Sequence, residues 1–211
     1  MHVTLFDYGV GNVHSLAKAI ETAGARVIIE PDPSAVLDAD TLVLPGVGAF
    51  APAAERLAPA ADALRTALAA GYPCLGICLG MQLLFESSAE GDGAGIGLLA
   101  GHVRRLRSRR TPHMGWNAVA ATADPLFRAL PALVAYFANS YVVDPAEPTA
   151  VIASTGHEHE SFPAAVRSHN TWGVQFHPEK SGAAGLRVIR NFLDATAALP
   201  ASSTVPVGRG A

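Results

Sequence analysis

A cysteine bracketed by glycines and a distant His-Pro-Glu segment are the residues of this chain best suited to chemistry. Cys78 stands in Gly76-Ile77-Cys78-Leu79-Gly80, and His177-Pro178-Glu179 follows much later in the chain. A thiolate is a strong nucleophile, a histidine can accept the thiol proton, and a carboxylate can hold the imidazole in one orientation. The pattern predicts a catalytic triad of Cys78, His177 and Glu179.

The residues around Cys78 predict a sharp turn between a strand and a helix. The apolar run 74–77 predicts the strand, and residues 79–85 predict the helix. Unpaired N–H groups at a helix N-terminus favour a thiolate, and the flanking glycines permit a strained turn. We therefore expect Cys78 to be exposed for reaction and Cys74 to be an ordinary buried residue.

A glycine-rich loop can supply the hydrogen-bond donors that such a nucleophile needs. Pro45-Gly46-Val47-Gly48 would be an ordinary loop in isolation. Beside a cysteine nucleophile, the N–H groups of Gly46, Val47 or Gly48 can turn toward a carbonyl oxygen that becomes negative during attack. The backbone N–H of Leu79 is a second candidate donor, and we expect these residues to form an oxyanion hole.

Composition limits the class of protein. The chain has 211 residues, of which half are apolar and 16% are charged, with a net charge of −3. These values are typical of one compact domain and unlike those of nucleic-acid-binding or disordered proteins. Two cysteines four positions apart cannot make a disulfide framework. With no recognisable signal peptide and no apolar run long enough to cross a bilayer, we expect a cytoplasmic protein.

Alternating strand and helix patterns predict an α/β fold with a mostly parallel sheet flanked by helices, of the flavodoxin-like type. The predicted strands of the first half are 3–6, 26–29, 41–44 and 74–77, and the predicted helices are 12–23 and 52–70. Short runs at 101–107, 136–137, 151–154, 164–168 and 171–175 predict an antiparallel extension, and residues 183–198 a final helix. We expect one domain over residues 1–199 and a disordered tail over 200–211.

Three loops follow predicted parallel strands: 7–12, 45–48 and the turn at Cys78. The carboxyl ends of parallel strands meet at one edge of a sheet, which is where such folds bind ligands. The sequence therefore predicts one site at this edge.

Taken together, these motifs resemble the class I, triad-type glutamine amidotransferases. The resemblance is carried by 45–48, by Gly76-Ile77-Cys78-Leu79-Gly80-Met81-Gln82 and by His177-Pro178-Glu179. The segments 7–12, 112–117 and 173–182 are more narrowly similar to one branch, the glutaminase subunits of imidazole glycerol phosphate synthases.

The resemblance implies a glutaminase that forms a heterodimer with a separate (β/α)₈ cyclase subunit. Glutamine would be hydrolysed to glutamate and ammonia through a cysteine thioester. The ammonia would be channelled to the cyclase, which forms imidazole glycerol phosphate and aminoimidazole carboxamide ribotide in histidine biosynthesis. By similarity, Gln82 and the backbone of Ser140 and Tyr141 would hold the glutamine. No metal, organic cofactor, nucleic acid or membrane is implied.

The same resemblance implies that Asn12, Trp116, Tyr136 and Lys180 face the cyclase. Lys180 is one of only two lysines, against thirteen arginines. Because this chain uses arginine for most of its positive charge, a contact with the cyclase explains Lys180 better than a general role in solubility does. A solvated lysine after a turn is the alternative.

One residue departs from the family pattern. Asn139 stands before Ser140-Tyr141 where these proteins commonly have a histidine. Asparagine can hydrogen-bond but cannot titrate near neutral pH, so it could position backbone but could not move protons.

Two other classes of function stay open on the residues alone. One is a stand-alone cysteine peptidase or deglycase on a similar sheet, and the other is a non-catalytic binding module. His157-Glu158-His159-Glu160 lacks an evident third ligand and indicates a solvated turn rather than a metal site.

Overall fold

A computed structural model describes residues 1–9 and 13–199 and has the predicted α/β architecture. Its helices are α1 (His14–Ala23), α2 (Phe50–Leu57), α3 (Ala61–Ala69), α4 (Leu79–Gln82) and α5 (Gly182–Ala197). Its strands are β1 (His2–Phe6), β2 (Arg26–Glu30), β3 (Thr41–Leu44), β4 (Cys74–Ile77), β5 (Ser87–Ser88), β6 (Gly101–Arg105), β7 (His113–Ala121), β8 (Leu133–Asn139), β9 (Tyr141–Pro145), β10 (Val151–His157), β11 (Glu160–Ser168) and β12 (Thr171–Val174).

The main sheet is parallel at one end and antiparallel at the other, as predicted. Its strand order is β2-β1-β3-β4-β12-β11-β10-β7-β8. The first five of these strands are parallel to one another, and the remaining pairs are antiparallel. A separate small sheet has the order β5-β6-β9. Because β4 lies between β3 and β12, the loops that follow these three strands meet at one edge.

The central strands are buried at every residue, which is typical of parallel strands covered on both faces. Successive side chains point to opposite faces. Leu42 and Leu44 therefore join the apolar cluster that includes α2 and α3, while Val43 joins the cluster that includes α1 and α5. Helices therefore cover both faces of the parallel part of the sheet.

Two helix predictions were wrong in their extent. The predicted helix 52–70 is interrupted by a 3₁₀ turn, Ala58–Ala60, between α2 and α3. Pro59 lies in that turn, where it has no N–H to continue the helical ladder and its ring crowds the preceding turn. The predicted helix 79–85 ends at Gln82, because tight bonds from Leu84 to Met81 and from Phe85 to Gln82 replace the regular pattern.

Three strands were not predicted from the sequence: β5, β7 and β9. The predicted strand 136–137 is the middle of β8, and β8 pairs over its whole length with β7. Gly115 and Asn117 lower the intrinsic strand preference of β7, so cross-strand pairing decides its structure. The predicted tail 200–211 and the first residue of the predicted helix 12–23 lie outside the described residues. Within residues 1–9 and 13–199, no helix has the length and apolar character needed to cross a membrane.

The corner at Cys78 depends on a close approach between backbones. A Cβ atom on Gly80 would lie 2.1 Å from the carbonyl oxygen of Leu44, and one on Gly76 would lie 2.6 Å from the carbonyl oxygen of Gly80. These distances are far below van der Waals contact, so only glycine lets α4 pack directly on the ends of β3 and β4.

We predict that Gly80→Ala lowers the free energy of unfolding by about 3 kcal/mol, at the upper end for one added methyl group in a packed core. Urea denaturation followed by circular dichroism measures the change. Gly156→Ala is the matched control, because its Cβ would meet its nearest neighbour, the carbonyl oxygen of Glu160, at an ordinary 3.6 Å. Equal stability of the two variants would contradict the close-packing argument.

Candidate active site

Cys78 lies at the corner between β4 and α4 in a backbone conformation that residues other than glycine rarely adopt. Its φ is +48° and its ψ is −103°, and such a position persists only where the surrounding structure holds it. Its amide donates to the carbonyl of Val174 at 2.7 Å, and its carbonyl accepts from the amide of Gln82 at 3.1 Å. The corner is therefore fixed from two sides. Cys78 is only 8% exposed, so the prediction of an exposed thiol was wrong, because the loop that contains Gly46 packs against the cysteine.

The shortness of α4 changes the electrostatic argument for a thiolate. The sequence predicted a helix of about two turns behind Cys78, but α4 has only four residues. A single turn aligns few peptide dipoles, so the field at its N-terminus is weak. Side chains around the sulfur must therefore supply most of the stabilisation of a negative charge.

His177 is held between Cys78 and Glu179. Its Nδ1 lies 2.9 Å from Oε1 of Glu179, and its side chain is also hydrogen-bonded to Cys78. Burial by itself would lower the pKa of His177, but the hydrogen bonds to Cys78 and Glu179 outweigh that effect and raise the pKa to about 9. At neutral pH the imidazole is therefore protonated in the resting site, between two groups that can carry negative charge.

The backbone of His177 is tied to β8 through Ser181. The amide of His177 donates to the carbonyl of Tyr136 at 2.8 Å. The hydroxyl of the buried Ser181 donates to the carbonyl of His177 at 2.6 Å and accepts from the amide of Tyr136 at 2.9 Å. Three hydrogen bonds thus fix the loop that carries the imidazole to one residue of β8.

The Pro45–Gly48 loop lies against both Cys78 and His177. A Cβ atom on Gly46 would be 2.9 Å from Cβ of Cys78 and 3.0 Å from Cε1 of His177. Gly48 has a φ of +97°, in the left-handed region that favours glycine. A side chain at Gly46 would therefore displace the cysteine or the imidazole, which explains a glycine here independently of any role for its N–H group.

Gln82 connects the corner at Cys78 to Tyr141, because its backbone amide donates to the carbonyl of Cys78 and its side chain reaches Tyr141. Nε2 of the buried Gln82 donates to the carbonyl oxygen of Tyr141 at 3.1 Å. Asn139 donates to the same carbonyl through Nδ2 at 3.1 Å, which is a backbone-positioning contact. Ser140 accepts the amide of Leu106 through its carbonyl, so the segment between β8 and β9 is well anchored.

Gln175 is a site residue that the sequence analysis missed. It is fully buried, and its Nε2 lies 3.4 Å from Sγ of Cys78. An amide in the otherwise apolar run 172–176, two positions before His177, is the signal that could have identified it.

The hairpin of β7 and β8 exposes an apolar face at the edge of the main sheet. Met114, Trp116 and Val134 are 65%, 57% and 48% exposed. The ring of Trp116 meets that of Tyr136 edge to face at 6.1 Å, and Nζ of Lys180 lies 6.0 Å from the centre of the Tyr136 ring. We call these five residues the hairpin face; Asn12 lies outside the described residues.

Comparison with known proteins agrees with this geometry. The family model described as glutamine amidotransferase class-I matches residues 4–196. The chain belongs to the class I glutamine amidotransferase family. This membership confirms the resemblance found in the sequence.

Within the family, the chain belongs with proteins named imidazole glycerol phosphate synthase subunit HisH. It is 44% identical to the one from Thermosynechococcus vestitus, over 90% of this chain and 95% of the relative. It is 47% identical to the one from Halobacterium salinarum, over 91% of this chain and 92% of the relative.

Solved structures share the fold at low sequence identity. One described as a glutamine amidotransferase matches with a TM-score of 0.74 at 18% identity, over 92% of this chain and 98% of that one. The structure of PurLQS from Thermotoga maritima matches with a TM-score of 0.71 at 20% identity, over 92% of this chain and 98% of that one. These likenesses bear on the fold alone.

In this member of the family, the predicted site residues fall into two groups. Those brought together at the carboxyl edge are the Pro45–Gly48 loop, Cys78, Leu79, Gln82, Ser140, Tyr141, His177 and Glu179. Trp116, Tyr136 and Lys180 form the second group on the hairpin face.

His157 belongs to the run 157–160, which the sequence analysis interpreted as a solvated turn rather than a metal site. Its ring stacks on that of His113, with the ring centres 4.2 Å apart.

We predict that Glu179→Gln lowers the pKa of His177 from about 9 toward its ordinary value and lowers kcat by at least about 100-fold, because the neutral amide cannot stabilise an imidazolium. The raised pKa contributes stability that is complete below about pH 6.5 and is lost as the pH rises through 9. The variant should show a smaller loss over that range.

Nuclear magnetic resonance titration of the imidazole, steady-state kinetics and urea denaturation at several pH values measure the three effects. Glu55→Gln, on the exposed side of α2, removes the same charge far from the site and is the matched control. An unchanged kcat in Glu179→Gln would contradict the role given to this carboxylate.

Proposed function

We propose that this chain is the glutaminase subunit of an imidazole glycerol phosphate synthase, with Cys78, His177 and Glu179 as its catalytic triad. The observation that carries the proposal is the contact of Cys78 with a His177 that is itself 2.9 Å from Glu179, in a chain 44% identical to such a subunit over 90% of its length. Residues 1–199 would form the amidotransferase domain, and a reduced catalytic thiol fits the cytoplasm.

The first half of the reaction releases ammonia. The Cys78 thiolate attacks the side-chain carbonyl carbon of glutamine, and the carbonyl π electrons move onto oxygen. The tetrahedral intermediate collapses when the carbon–nitrogen bond breaks, and His177 gives its proton to the leaving nitrogen as ammonia forms. Because the pKa of His177 is raised to about 9, the imidazole already holds this proton at neutral pH.

The second half regenerates the thiolate. The γ-glutamyl thioester is attacked by water, and the now neutral His177 takes a proton from that water. The second tetrahedral intermediate breaks its carbon–sulfur bond, so that glutamate leaves and the thiolate and imidazolium are restored. Glu179 stabilises the imidazolium in both halves and keeps Nδ1 from changing partners.

The N–H groups of Gly46, Val47, Gly48 and Leu79 are the candidate donors for the oxyanion. The support is positional, since Gly46 abuts Cys78 and Leu79 follows it in the chain. One such donor is worth about 3 kcal/mol of transition-state stabilisation. Gln82 and the Ser140–Tyr141 backbone line the pocket for the glutamine.

The ammonia would be used by a cyclase partner that docks on the hairpin face. Exposed aromatic and methionine side chains are typical of protein interfaces, and three of the six exposed large apolar side chains among the described residues lie on this face. Tyr136 also binds the backbone of His177, so the face and the site are in direct contact. Channelling would keep the ammonia out of bulk water, where it would be protonated.

We predict that Cys78→Ala abolishes glutamate production, with a loss of at least about 1,000-fold in kcat, because no other group can form the thioester. Glutamate is measured with and without the (β/α)₈ cyclase and its ligand. Cys74→Ala is the matched control, because Cys74 is fully buried within β4 and should leave turnover within about threefold.

Strong stimulation of the wild-type chain by the cyclase is the expected result. Glutamate production by Cys78→Ala would refute the nucleophile. Turnover of peptides or glycated substrates without the partner would instead favour a stand-alone peptidase or deglycase.

We predict that Trp116→Ala weakens binding of the cyclase by about 30-fold, the effect typical of a central aromatic residue in an interface, and that Lys180→Ala reduces both binding and coupled turnover. Isothermal titration calorimetry measures the affinity. Ile28→Ala is the matched control, since Ile28 is an exposed apolar residue of β2 at the opposite edge of the sheet. Wild-type affinity in both Trp116→Ala and Lys180→Ala would remove the hairpin face from the interface.

A further inference from the structure

Gln175 occupies a position for which a polar side chain needs a specific reason. It follows β12 directly, and its neighbours Val174 and Phe176 are fully buried, as Gln175 itself is. Its backbone amide donates to the carbonyl of Ala164 at 2.9 Å, which fixes it to β11. Burying an amide side chain is costly unless its donors and acceptor are used.

The side-chain amide of Gln175 lies between two other groups of the site. Its Nε2 is 3.4 Å from Sγ of Cys78, and its Oε1 is 3.4 Å from Nε2 of Gln82. Gln82 in turn donates through the same Nε2 to the carbonyl oxygen of Tyr141. The result is a chain of contacts that runs from the backbone of β9 to the sulfur.

The Tyr141 carbonyl, at one end of this series of contacts, fixes the orientation of both side-chain amides. A backbone carbonyl can only accept a hydrogen bond, so Gln82 must present its NH₂ group to Tyr141. The same NH₂ group then faces Gln175, which must accept through its Oε1. The nitrogen of Gln175 is left pointing at Sγ of Cys78. Asn139 donates to the same carbonyl, so the two lone pairs of the Tyr141 oxygen each accept one hydrogen bond.

We propose that Gln175 is a thiolate-stabilising residue, whose orientation is set by Gln82 and the Tyr141 carbonyl so that an N–H donor faces the sulfur of Cys78. The inference rests on the proposed role of Cys78 as nucleophile. A donor aimed at sulfur favours the thiolate over the thiol, and hydrogen bonds to ionised groups are about twice as strong as those between neutral groups. With α4 too short to provide a strong dipole, His177 and Gln175 are the two donors on the sulfur among the described residues.

The proposal can be tested on the sulfur itself. The rate of alkylation of the full chain by iodoacetamide is measured from pH 4 to 10 by intact-protein mass, with Cys78→Ala reporting any labelling of Cys74. Gln175→Met keeps the length of the side chain and removes its donor. We expect the midpoint of the pH profile to rise by about one pH unit, and kcat/KM for glutamine at pH 7 to fall by about tenfold.

Two further variants separate a change in the alkylation midpoint from a folding defect. Gln175→Glu keeps the size but places a carboxylate beside the sulfur, and it should raise the midpoint further than methionine does. Gln82→Met leaves the Gln175 amide without its anchor and should give an intermediate rise. Thermal denaturation of each variant checks that the fold persists.

The order wild type, Gln82→Met, Gln175→Met, Gln175→Glu supports the proposal, whereas one shared midpoint in all folded variants overturns it. This outcome is separate from failure of the proposed function, which would appear as glutamate production by Cys78→Ala. A loss of stability with an unchanged midpoint would also overturn the proposal, because it would make Gln175 a packing residue only.

Discussion

The site exists because β4 pairs in parallel with β3 on one side and with β12 on the other. This arrangement brings the ends of three sequence-distant strands to one line, so that a glycine loop, a cysteine and a histidine become neighbours. The contact is tight enough that the backbone itself is the packing surface, with Gly46, Gly76 and Gly80 at the points of closest approach. Any added side chain there would displace Cys78, His177 or the backbone that holds them, so the fold and the proposed chemistry constrain the same few residues.

Such crowding has an electrostatic consequence. An imidazolium, a carboxylate and a thiolate in a buried corner are costly to desolvate, and the cost is recovered only by mutual contact and by oriented donors. His177 has both of its partners, and its pKa is raised to about 9 despite burial. The second carboxylate oxygen of Glu179 has no hydrogen-bond partner among the described residues. The charge of Glu179 is thus balanced mainly by His177, which binds the two residues into one unit.

Much of this arrangement can be predicted from the sequence, and the failures have physical causes. Strands 41–44 and 74–77 were predicted to the residue, because each is a short, mostly apolar run that a proline bounds at one end. Strand β7 was missed, because Gly115 and Asn117 conceal a strand that pairing with β8 imposes. Gln175 was missed for a related reason. An amide carries no chemistry of its own until the fold places it beside a sulfur, and that placement depends on β12 lying next to β4.

The hairpin face and the proposed triad are linked through one residue of β8, Tyr136. The Tyr136 ring contacts Trp116 and Lys180 on the outside, while its amide and carbonyl bind Ser181 and His177 on the inside. Packed elements shift as units rather than deform continuously, so a displacement of β8 must carry the loop of His177 with it. A movement of a few tenths of an ångström would alter the contact between imidazole and sulfur, on which proton transfer depends steeply. With the partner docked as proposed, coupling to glutamine hydrolysis would require no long pathway through the protein, because one backbone hydrogen bond and one bridging serine hydroxyl connect Tyr136 to His177.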